Sequence, residues 1–219
     1  MNDLIQTIAV YALPVIFAIT LHEAAHAYAA KYFGDNTAYA MGRMSLNPLK
    51  HIDLFGTIII PLLLYLGTNG AFVFGYAKPV PIDFSRLRNP RKQSAYVALA
   101  GPMANFVMAF GWLIFSILLR LAGVQEDFFL MMAQAGVLSN ILMFVFNLVP
   151  IPPLDGGRVL TSMLPPRLGY KYARIEPYGF YIVLALIYFN ILAFWVVPLS
   201  LATQYVLGLL ATPLSIFLN

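Results

Sequence analysis

"LFGTIIIPLLLYLGTNG", residues 54–70, is the stretch on which the fold turns. Its apolar part is shorter than the roughly 20 residues a helix needs to cross a hydrocarbon core. Pro61 interrupts it, and Gly67, Asn69 and Gly70 favour a turn. Read as one crossing, it puts its flanking loops on opposite faces of a membrane; read as a dip over 54–78, it leaves them on one face. The basic residues decide between the two. Lys31, Arg43 and Lys50 precede or flank it; Lys78, Arg86, Arg88, Arg91 and Lys92 follow; Arg158, Arg167, Lys171 and Arg174 form a third group, and only Arg120 lies elsewhere. The dip alone gathers those three groups on one side, as the positive-inside bias requires. Irregular backbone at membrane depth is tolerated only when buried in protein or lining a wet cavity, so such a re-entrant hairpin should border something polar.

Composition supplies the solvent. With 61% hydrophobic and 10% charged residues, the chain is far more apolar than a soluble domain. Runs long enough to cross a bilayer lie near 4–30, 94–120, 128–149, 178–197 and 200–217. The expected fold is an all-α polytopic membrane protein of five to six transmembrane helices, with the re-entrant hairpin and a small membrane-associated β element. It forms one domain over 1–219, a core at 4–165 followed by transmembrane helices at 178–217. The opening residues lack a basic n-region and a small-residue cleavage pattern, so the first span is expected to be retained. A net charge of +4 is carried by loops and reads as a topology signal, not as affinity for nucleic acid. No cysteine is present, which removes thiolate ligands, thiol nucleophiles and disulfides.

The polar element inside the first span is "LHEAAHAYAA", residues 21–30. His22 and His26, four apart, share one helix face. With Glu23 they form H-E-x-x-H, in which neutral imidazoles bind zinc and the carboxylate takes a proton from a water the metal has acidified. Ionisable groups at membrane depth are costly and mark function; the plain alternative is a pair of core histidines bonded to backbone carbonyls. A catalytic zinc takes a third protein ligand and keeps a position open. Without cysteine, that ligand is His51, an aspartate or a glutamate.

Asp155, in "FNLVPIPPLDGGRVL", is the strongest candidate. Pro150, Pro152 and Pro153 end the preceding span, and Gly156 and Gly157 let backbone approach backbone. Its alternatives are an N-cap role or a partnership with Arg158. The dip puts an even number of crossings between the histidines and Asp155, so all three meet at the inner face. His51, between Lys50 and Asp53, reads as a wetted loop histidine more readily than as a ligand.

Other residues have simpler readings. Asn140 and Asn147 share a helical face; interhelical bonding accounts for Asn140 and leaves Asn147 open. Ala98, Ala100, Gly101 and Ala104 suit close helix packing. Residues 72–83, with Pro79 and Pro81, suit an edge strand near the site or a plain returning loop. The aromatic run 178–195 reads as a lipid-facing span with interface anchors.

These motifs together resemble the site-2 protease family of intramembrane zinc metalloproteases, peptidase family M50. "HEAAH" looks like its zinc helix, and "NLVPIPPLDGG" is similar to its N-x-x-P…D-G motif. "LAGPMANF" (99–106) resembles its A-G-P-x-x-N segment, "GYAKPVPID" (75–83) its edge strand, and "MGRMSLNP" (41–48) its membrane-embedded β-loop. The resemblance implies one zinc per chain held by His22, His26 and Asp155, Glu23 as catalytic base, and Asn147 as a substrate-positioning or oxyanion-assisting group. It also implies single-span membrane protein substrates, such as anti-sigma factors or precursor transcription factors. The implied setting is a bacterial or archaeal cell membrane with the site opening toward the cytoplasm. The expected form is compact, without PDZ or CBS domains. Two other readings are a homologue that binds helices without cutting them and a zinc-handling transporter. The transporter would need a relay of ionisable groups, which three histidines and few intraspan acids do not supply.

Overall fold

A long, mainly apolar run that carries Pro14 and the His22–His26 motif makes the first helix, α1 (Asn2–Phe33), in a computed structural model that describes residues 2–67 and 75–215. Gly34 ends it at φ +117°, a value that a side chain would oppose. A single turn, α2 (Thr37–Ala40), follows, then a 3-10 turn at Pro48–Lys50 and a π-helical turn at Leu54–Ile59 that runs into α3 (Ile60–Gly67). Asn89 caps α4 (Pro90–Leu121) by accepting from Lys92 N, with Pro90 in the first position where its missing N–H costs nothing. Gly123, at φ +68°, turns the chain into α5 (Asp127–Asn147). Four more helices complete the described residues: α6 (Asp155–Met163), α7 (Pro166–Ala173), α8 (Glu176–Tyr188) and α9 (Ala193–Ser215).

Four helices, α1, α4, α5 and α9, are long and apolar enough to cross a membrane. They turn large apolar side chains outward, among them Ile8, Val107, Leu138 and Leu209, and bury the polar residues His22, His26, Asn105 and Asn140. That inversion suits lipid as the surrounding solvent, and the chain is an integral membrane protein. α4 is the hub, packing on α1, α5, α6 and α9. Ala109 of α4, Ile141 and Val145 of α5 and Leu207 of α9 form one apolar core.

The architecture departs from the sequence expectation in three places. First, the span expected at 178–197 is divided. Asn190 adopts φ +57° and breaks the chain between α8 and α9. α8, at 13 residues, is roughly 20 Å long and too short to cross. Val183 and Leu192, flanking that break, join Val149 in one apolar cluster. The expected last span therefore starts earlier, at Ala193; its residues 216 and 217 lie outside the described residues.

Second, the re-entrant hairpin is not supported. α3 is a single short helix with no second helix answering it among the described residues, and the turn expected at Asn69 and Gly70 lies outside them. The described chain resumes beside the base of α3, where Tyr76 N donates to Gly56 O at 2.9 Å.

Third, the described residues contain no β-strand. Residues 75–83 are irregular because Pro79 and Pro81 lack donors while the N–H groups of Val80 and Asp83 are taken by carboxylates, Glu23 and Asp35, each at 2.8 Å. Residues 41–48 are spent on turns: Gly42 sits at φ +63°, Arg43 N returns to Ala38 O, and Asn47 caps the following 3-10 turn. Residues 72–74, part of the expected strand, lie outside the described residues.

Candidate metal centre

One turn of α1 sets the His22 and His26 rings edge to face with their Nε2 atoms 3.1 Å apart. Asp155, the first residue of α6, closes the group: its Oδ2 is 3.2 Å from His22 Nε2 and its Oδ1 3.3 Å from His26 Nε2. Both histidines are buried and the Asp155 carboxylate is only 12% exposed.

Proton bookkeeping shows what this cluster wants. His26 Nδ1 faces the Val97 carbonyl at 2.7 Å, which can only accept, so Nδ1 carries a proton, and in the neutral ring Nε2 is left as an acceptor. His22 Nδ1 likewise faces Asn105 Oδ1 at 2.6 Å. Asp155 Oδ2 is buried with no hydrogen-bond donor. With both rings neutral, three acceptors thus converge, an arrangement that a cation satisfies. A tetrahedral ion with bonds of about 2.1 Å holds its ligands roughly 3.4 Å apart, close to the separations observed, and two imidazoles with one carboxylate are a donor set suited to zinc.

Glycines make the convergence possible. A Cβ at Gly101 would lie 2.4 Å from His26 Nε2 and 2.7 Å from His22 Cε1, so α4 touches the rings with bare backbone. Helix packing alone, the sequence reading of this small-residue patch, is therefore only part of its role. Gly101→Ala is expected to weaken zinc binding about tenfold or more while leaving the protein helical, since a ligand ring must turn away; zinc affinity and circular dichroism on the same preparation check it.

Asp155 is placed by a crowded loop. Side chains at Gly156 and Gly157 would collide with Leu148 O and Pro152 N, and one at Gly179 of α8 with Pro152 O. Tyr172 OH of α7 donates to Pro150 O. Neither alternative reading of Asp155 holds: Leu154 is the cap position of α6, and Arg158 pairs with Glu176 at 2.9 Å.

Beside the cluster is a cavity of about 290 Å³ lined by His22, Glu23, His26, Val80, Asn147 and Asp155. Glu23 Oε2 accepts from Val80 N–H. Asn147 donates to Met143 O at 3.0 Å within its own helix and borders the same cavity. His51 is elsewhere and, contrary to the wetted position expected, fully buried; its Nε2–H donates to Ser45 O at 2.7 Å. Asn140 bonds across to α4, as its place in an apolar span suggested, and its partner is Asn105. Sequence reasoning met Asn105 only as the last residue of the A-G-P-x-x-N segment and gave it no role, although a lone amide in the apolar helix 94–120 was signal enough.

Residues 10–130 and 119–190 match the family model described as peptidase family M50. YwhC of Bacillus subtilis, a protein named as a candidate zinc metalloprotease, is 38% identical over 183 residues, 80% of this chain and 78% of its own. Rip2 of Mycolicibacterium smegmatis, named in the same way, is 30% identical over 205 residues, 88% of this chain and 74% of its own. Rip2 of Mycobacterium tuberculosis is 27% identical over 175 residues, 78% of this chain and 63% of its own. No solved structure matches the chain.

Proposed function

The chain belongs to peptidase family M50, the site-2 protease family of membrane zinc metalloproteases, and on that premise we propose that it hydrolyses peptide bonds within or beside the transmembrane segments of single-span membrane proteins. His22, His26 and Asp155 hold one zinc ion per chain, Glu23 is the base, and Asn147 positions the substrate. The observation that carries this reading is the convergence of three acceptors beside a carboxylate in one cavity.

Bound zinc supplies Lewis acidity, lowering the pKa of a water toward neutrality and polarising the scissile carbonyl. Glu23 follows His22 directly, so the helix that presents the ligands also presents the base. Val80 N–H holds one of its oxygens; the other is left to take the water's proton and return it to the departing amine. Asn147 gives one amide hydrogen to Met143 O within its own helix and borders the cavity, which leaves a second amide hydrogen and its oxygen for a substrate. A peptide bond within a helix is sterically shielded, so the substrate must unwind locally to reach these groups.

The site opens toward the cytoplasm of a bacterial or archaeal cell membrane. In support, α1, α4 and α5 alternate so that the segments carrying Arg43, Arg88 and, in α7, Arg167 share the face where Asp155 lies.

The test is metal removal. Stripping the purified protein with a zinc chelator is expected to abolish cleavage of single-span proteins reconstituted with it in liposomes, and added zinc to restore it. Cleavage that continues in metal-free protein would overturn the reading.

A further inference from the structure

A line of polar side chains crosses the apolar interior from α5 to the metal centre. Asn140 Nδ2 donates to Gly136 O at 2.9 Å, and Asn140 Oδ1 accepts from Asn105 Nδ2 at 3.0 Å. Asn105 Nδ2 also reaches Ala18 O at 3.2 Å, while Asn105 Oδ1 faces His22 Nδ1 at 2.6 Å. Both asparagines are completely buried.

The line has a direction. A backbone carbonyl only accepts, so the Gly136 carbonyl turns the Asn140 amide nitrogen toward itself and its oxygen toward Asn105. That oxygen and the Ala18 carbonyl then both require the Asn105 nitrogen, which turns the Asn105 oxygen to His22. An acceptor there puts the His22 proton on Nδ1 and leaves Nε2 bare toward Asp155. If Asn105 were reversed, His22 would carry its proton on Nε2 and donate it to Asp155 Oδ2, 3.2 Å away, a self-satisfied arrangement that shuts out a metal.

Resting on the zinc reading above, we infer that Asn105 and Asn140 are positioning residues that hold His22 in its metal-accepting tautomer, so that Asn140, which touches no proposed ligand, sets zinc affinity through Asn105. Asparagines serving only as interhelical glue need satisfied hydrogen bonds but no direction. The relay needs a direction.

The test is zinc affinity, by competition with a chelating dye, on the purified full chain. Asn105→Leu removes the acceptor at similar volume and is expected to bind zinc about 10–100-fold more weakly. Asn105→Asp keeps an acceptor for His22 but sets an oxygen against Ala18 O and Asn140 Oδ1, so it should recover part of the affinity that leucine loses and bind zinc more tightly than Asn105→Leu. Asn140→Leu should cost about tenfold in the wild type and nothing further beside Asn105→Leu, since groups acting in series do not add. Equal losses in both backgrounds, or an Asn105→Leu protein within about twofold of wild type, overturn the relay. If leucine at 105 prevents folding, Asn140→Asp against Asn140→Leu decides: the acid keeps an acceptor for Asn105 and binds more tightly, whereas equal affinities overturn the inference. His22→Ala, run in parallel, separates the two levels. Zinc lost there but unmoved by either asparagine removes the relay alone, and zinc kept there removes the ligand assignment as well.

Discussion

Glu23→Gln is expected to lower peptide-bond hydrolysis by about 10²–10⁴-fold, the range attributed to a positioned base, with zinc content unchanged. The substitution is nearly isosteric, and the glutamine oxygen can still accept from Val80 N–H, so the side chain keeps its place in the cavity. What it loses is the capacity to take a proton. Zinc per chain and single-turnover cleavage, measured on the same preparation, separate this from damage to the metal site. Cleavage near the wild-type rate would remove Glu23 as base, and zinc lost together with activity would instead make Glu23 part of what holds the ion.

Asp155→Ala is expected to empty the site. Two bare imidazoles remain, and the affinity lost should exceed the roughly 100-fold that removal of an outer contact costs. His51→Ala is the matched control: it leaves the Ser45 carbonyl without its donor and opens a void among buried groups, so it should lower thermal stability while zinc stays bound. Zinc measured by mass spectrometry of metal content in both variants decides between the two candidates for third ligand. Retention without Asp155 and loss without His51 would reverse the assignment.

What the sequence made legible was whatever depends on local spacing. An i, i+4 pair of histidines must share a face, and α1 presents His22 and His26 together. Proline and glycine around Asp155 announced a loop and a close backbone approach, and the glycines at 156 and 157 do lie against Leu148 and Pro152. What it hid depends on partners distant in the chain. The β-formers and prolines of 72–83 suited an edge strand, but the N–H groups of Val80 and Asp83 go to Glu23 and Asp35, which no pattern within the segment encodes. Gly101 looked like packing because the atoms it must clear belong to another helix. The run 178–197 carried enough hydrophobicity for a span, and the left-handed turn at Asn190 cut it short. Hydropathy measures how far a residue prefers oil; it does not count where a helix stops.

That shortened helix changes what the word core means for this molecule. All three proposed ligands and the base lie before residue 165, and a boundary there looks natural on paper. Yet Gly179 rests on Pro152, and Val183 and Leu192 share one apolar cluster with Val149, so the loop that delivers Asp155 has α8 and the turn into α9 as its back wall. A fragment cut after α6 keeps every reactive group and loses the anvil against which one of them is set.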